Sequence, residues 1–179
     1  MNNGSVYVPG KVRTTQSPYY DSYSVATTTA VVPTGKQVLF GSVSGVGSVT
    51  AAQTNMSKAF ELSGGESFLL KAFRVVFLGC AAADIVSFCT AFTVRLIIGS
   101  GSTAYCDAPA EYWAGGAGVN SGNNNGIADP RAIVPFDVDP IRLESGINFR
   151  VEYIGTTFTS TAAFFTRVYL DGQKTQPAG

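Results

Sequence analysis

Hydrophobic residues recur at every second position in two stretches of the chain. Phe92, Val94, Leu96 and Ile98 fall on one side with Thr93 and Arg95 between them, and Phe149, Val151 and Tyr153 alternate with Asn148, Arg150 and Glu152. A period of two marks a strand with one buried face, so both stretches predict half-buried antiparallel strands. The run FRVVFLG, residues 73–79, is apolar on both faces, which predicts a strand covered by core on one side and by a further surface on the other. From Val38 onward, short runs rich in apolar and β-branched residues succeed one another: QVLFGSV, KAFEL, SFLLKAFRVVFLG, SFCTAFTVRLIIG, TAYCDA, RAIVPFDV, INFRVEYIG and AAFFTRVYLDG. Gly, Ser, Asn and Pro separate them, no long amphipathic helix interrupts them, and AAAD at 81–84 reads as a connection.

About eight strands without βαβ alternation predict an all-β fold, an antiparallel two-sheet sandwich. A jelly roll is the preferred topology, and an immunoglobulin-like or other Greek-key sandwich is the alternative. Residues 36–179 form the single β-sandwich domain in this reading. Residues 1–35 differ: they hold Pro9, Pro18 and Pro33, many Ser, Thr and Tyr, and no sustained period. They predict an extended N-terminal arm lying on its own domain or on a neighbour, with disorder as the alternative. Tyr7, Tyr19, Tyr20 and Tyr23 favour docking, because aromatic side chains gain most from it.

Charge changes the picture by its scarcity. Only 13% of residues are charged, 12 basic against 12 acidic, so Ser, Thr, Asn, Gln and Gly must cover the surface. Such a surface lacks the clustered cations that bind nucleic acid, and no net charge opposes self-association. The most membrane-like window, residues 80–99, contains Asp84 and Arg95, which are costly in hydrocarbon, and reads as buried strand. The first sixteen residues lack the apolar core of a signal peptide, so the sequons at Asn3 and Asn55 carry little weight. Cys80, Cys89 and Cys106 read as free core thiols, with a Cys80–Cys89 hairpin bridge as the alternative.

The chain has no histidine, which removes the usual base for Ser or Cys nucleophiles and the commonest metal ligand. No nucleophile elbow, phosphate loop or Cys-x-x-Cys pair is present. Asp107 and Glu111, and Asp137 and Asp139, are the carboxylates that a glycosidase-like pair or a divalent cation would use. The stronger reading of Asp137 and Asp139 is the solvent side of a strand ending in an Asp-Pro turn. No catalytic, cofactor or metal residue is therefore assigned, and the protein is read as a non-enzyme. What stands out instead is Tyr112-Trp113 beside GGAGVNSGNNNGIADP, residues 115–130. Trp113 either plugs one end of the sandwich or, with Tyr112, anchors a contact, and the Gly/Asn-rich loop can conform to a partner. The candidate contact residues are Tyr7, Tyr19, Tyr20, Tyr23, Tyr112, Trp113, Asn123, Asn124 and Asn125.

The blocks AFELSGGESFLLKAFRVVFLG, LIIGSGSTAYCDAPAEYW and ADPRAIVPFDVDPIRLESGINFRVEYIG, within residues 57–170, resemble the jelly-roll decoration or cement proteins of tailed-bacteriophage heads. The likeness lies in general character, that of a histidine-free, charge-poor β domain with an extended arm, and includes no diagnostic motif. It implies a homotrimer on the outer capsid surface of the virion, made in the host cytoplasm, that bridges neighbouring major capsid subunits. The alternative is a carbohydrate-binding or receptor-binding module whose glycan lies on Tyr112, Trp113 and the asparagine-rich loop.

Overall fold

The alternating runs become strands in the computed structural model, which describes residues 6–8, 12–25, 35–113, 134–136, 140–155 and 159–177. In chain order these are β1 (Val6–Val8), β2 (Val12–Gln16), β3 (Tyr19–Val25), β4 (Gly35–Leu39), β5 (Ser67–Leu78), helix α1 (Ala82–Ala91) and β6 (Phe92–Ile98). Then come β7 (Ala104–Pro109), the four-residue helix α2 (Ala110–Trp113), β8 (Val134–Pro135), β9 (Ile141–Glu144), β10 (Phe149–Gly155) and β11 (Phe164–Pro177).

Among the described residues, seven strands make one sheet, ordered β1-β2-β11-β5-β8, with β3 also paired to β11 and β9 to β5. Four strands make the other, ordered β4-β10-β6-β7. All pairs are antiparallel. The chain changes sheets between β3 and β4, β4 and β5, and β5 and β6, and again from β7 through β8 and β9 to β10 and then β11. That alternation, with β11 between β3 and β5 and β10 between β4 and β6, is the connectivity of a jelly roll.

The core fills the space between the sheets. Phe68, Leu70, Phe73, Val75 and Phe77 of β5 face it together with Val94 and Leu96 of β6 and Phe149, Val151 and Tyr153 of β10, each nearly inaccessible. Burial of such side chains contributes roughly 1.5–3 kcal/mol each. Tyr153 keeps its one polar atom paired, its hydroxyl 2.7 Å from Thr166 Oγ1. The far side of β5 is less covered than its apolar sequence predicts. Val76 is half-buried and Leu78 is exposed, while Arg74 lies over the Tyr169 ring at 4.3 Å.

One expected strand is in part a helix. Residues 82–91 form α1, and the strand begins only at Phe92. Ile85, Phe88 and Cys89 point inward at helical spacing and close one end of the sandwich, with Phe88 stacked on Phe92 at 4.6 Å. Asp84, in the first turn, is buried and accepts hydrogen bonds from the Thr161 N–H at 3.1 Å and hydroxyl at 2.6 Å. A carboxylate there also suits the positive end of the helix.

Residues 12–25, within the N-terminal arm, lie on their own chain. β2 pairs with Gln173–Pro177 and β3 with Phe164–Leu170, both on the same side of β11. Between them Ser17 and Pro18 face the register shift at Asp171/Gly172, where proline's missing N–H leaves no gap in a ladder. β3 contributes to the core through Tyr19 and Val25, whereas β2 remains mostly exposed.

Candidate contact surface

The β7–α2 corner is built outward from Trp113. Its indole N–H donates to the Val94 carbonyl at 3.2 Å, and its ring lies 4.9 Å from Phe73, so the side chain is only 4% exposed. Tyr112 packs edge-on against it at 4.9 Å yet is itself 59% exposed. Toward the other end of β7, Tyr105 is 61% exposed. Tyr112 therefore stands on a rigid base, and among the described residues β7 is an outer strand of its sheet. An aromatic side chain held in place before binding loses little entropy when a partner covers it. The 115–130 loop, with Asn123, Asn124 and Asn125, lies outside the described residues, as do Asp137 and Asp139. Asp107 and Glu111 are exposed.

The arm tyrosines are engaged within the chain. Tyr19 donates its hydroxyl to Glu66 at 2.9 Å and packs on Phe68 at 5.0 Å. Burial, reinforced by that bond to Glu66, drives its pKa well above the ordinary phenol value. Tyr20 donates its hydroxyl to the Ala51 carbonyl at 2.5 Å, and the Tyr20 N–H donates to the Asn55 side chain at 2.9 Å. Tyr23 is half-buried 6.3 Å from Tyr153. Tyr7 lies in β1 opposite Arg13, and its side chain is outside those described. Tyr20, Asn55 and Ser22, which donates to the Gln53 carbonyl at 2.8 Å, clamp the loop between β4 and β5 onto β3. Asp21, 3% exposed, completes the attachment by accepting the N–H groups of Ser22 and Phe40. Burial raises its pKa, against the opposing pull of those bonds, of Thr54 and of Arg167.

Sequence reasoning missed a cluster on the outer face of the four-stranded sheet. Glu152 has the polar-face position expected for it but is 0% exposed, because Lys36 at 3.0 Å, Arg95 at 2.9 Å and Arg150 at 2.7 Å cover it. Burial alone would raise its pKa; the hydrogen bonds from Arg150, Lys36 and Arg95 outweigh that and hold it below the ordinary range. The pairing Glu152–Arg95 on adjacent strands was legible once the register was known. Lys36 was not, since nothing local places β4 beside β10.

The three cysteines are free. Burial pushes the thiols of Cys80 and Cys89 up to about 12 and that of Cys106 up to about 11, so they stay protonated and poorly nucleophilic near neutrality. No family model, no curated protein and no solved structure matches this chain.

Proposed function

We propose that the protein is a structural component of a virus particle, a decoration protein of a tailed-bacteriophage head. In this reading it is made in the host cytoplasm and sits on the outer capsid surface as a homotrimer, where it bridges neighbouring major capsid subunits and stabilises the shell. The observation that carries the reading is the β7–α2 corner: Tyr112 is exposed and braced against the buried Trp113, and Tyr105 is exposed on β7, the outer strand that leads into it. Tyrosines of this kind anchor protein interfaces. The jelly roll and the charge-poor surface fit the same role, although the fold by itself hosts many functions.

Three corners per trimer would multiply weak contacts through effective concentration, so that capsomers separate only after several contacts break. The test is reconstitution: shells lacking the protein are mixed with it, pelleted, and heated to their disruption temperature. Wild-type protein should co-sediment and raise that temperature. Tyr105→Asp with Tyr112→Asp should weaken binding at least tenfold with the unfolding midpoint unchanged. Full-strength binding by the double variant excludes this corner as the contact, and no binding by wild type excludes the function.

A further inference from the structure

A recess of about 180 Å³ opens where the loop after β4 meets the start of β10, lined by Phe60, Asn148, Phe149 and Arg150. Its aromatic wall is held in an unfavourable backbone. Phe60 has φ 61° and Phe40 has φ 69°, the left-handed region that side chains other than glycine rarely adopt. Several contacts impose it. The Phe60 N–H donates to the Phe40 carbonyl at 2.7 Å, the Phe149 N–H donates to the Phe60 carbonyl at 2.8 Å, and Asp21 holds the Phe40 N–H. Gly41 leaves room for the ring, since a Cβ there would come within 2.6 Å of its tip. Backbone strain of this kind collects at binding sites, where the surroundings force a side chain into a required position.

The polar walls are equally fixed. Arg150 is oriented by Glu152 and by the Gly101 carbonyl, to which it donates at 3.3 Å. The Asn148 backbone carbonyl accepts the Gly99 N–H at 2.6 Å, while its exposed side-chain amide has no partner among the described residues. Charge favours an anion. Lys36, Arg95 and Arg150 face Glu152, and Asp107 stands opposite Arg95 in the β6–β7 register, leaving one positive charge in excess in a chain whose net charge is zero.

We propose that this recess binds a sugar bearing a carboxylate. The carboxylate pairs with the Arg150 guanidinium, the apolar face of the ring lies on Phe60, and a hydroxyl bonds the Asn148 amide. This site is separate from the β7–α2 corner and does not depend on shell binding.

The test is ligand-observed NMR on the full chain, with glucuronic acid, glucose and acetate as probes. Glucuronic acid should bind with a Kd on the order of 1 mM, glucose and acetate at least tenfold more weakly. Asn148→Ala alters an exposed side chain and should weaken glucuronic acid about fivefold with the unfolding midpoint unchanged; Arg150→Lys should weaken it further. Absence of glucuronic acid binding overturns the proposal. Acetate binding equally well reduces the site to a generic anion contact and also overturns it, as do equal binding of glucose and unchanged affinity in Asn148→Ala.

Discussion

Glu152→Gln leaves Lys36, Arg95 and Arg150 facing one another without the carboxylate that now holds them. Because those side chains are themselves partly exposed, the loss belongs at the low end for breaking a buried pair, about 3 kcal/mol near neutral pH. The sign of the pH dependence follows from its lowered pKa. Stabilisation is complete above the ordinary glutamate value of 4.5 and is lost as pH falls through the folded-state value. Urea denaturation should therefore give a gap between wild type and variant that narrows as pH falls below 4.5; a constant gap contradicts the charge account. Gly172→Ala tests a steric requirement instead. A Cβ there would collide with the Leu69 carbonyl oxygen beside the register shift, so a loss of about 2 kcal/mol or more is expected in the same assay. Neither residue's importance was legible locally, because the atoms that surround each come from distant strands.

The arm divides at Pro18. Removing residues 1–17 takes away β1 and the mostly exposed β2, whereas removal through Val25 also takes Tyr19, Asp21 and Val25 out of the core. The shorter truncation should keep the near-ultraviolet circular dichroism and a cooperative thermal transition; the longer one should lose both. Survival of the transition in the longer truncation would mean that β3 adds little to the fold. The strands β6 and β10 were legible from alternation, since each has one face toward the core. Helix α1 was not, although Ile85, Phe88, Cys89 and Phe92 carry its i, i+3, i+4 and i+7 spacing. That signal spans only eight residues and runs directly into a strand, and Val86 and Thr90 within it favour extended backbone.

At the scale of the whole molecule, the proposed role requires a particle larger than one chain. Light scattering across a range of concentrations should give about three times the 18.7 kDa chain mass, and a monomer at every concentration would argue against a preformed trimer. The sandwich itself was legible in the sequence because burial on one face writes a period of two into every half-buried strand, and turn residues mark where each strand stops. The absence of histidine and the scarcity of charge are equally plain in the sequence, and they narrow the chemistry by themselves. Tertiary structure alone decided which strands became neighbours, and with them the three cations over Glu152, the attachment of Tyr19 and Tyr20 to their own domain, and the exposure of Tyr112 beside a buried Trp113. The physical reason is range: alternation is set by the residues on either side, whereas a salt bridge, a buried carboxylate or a recess is made by side chains that meet only after both sheets have closed.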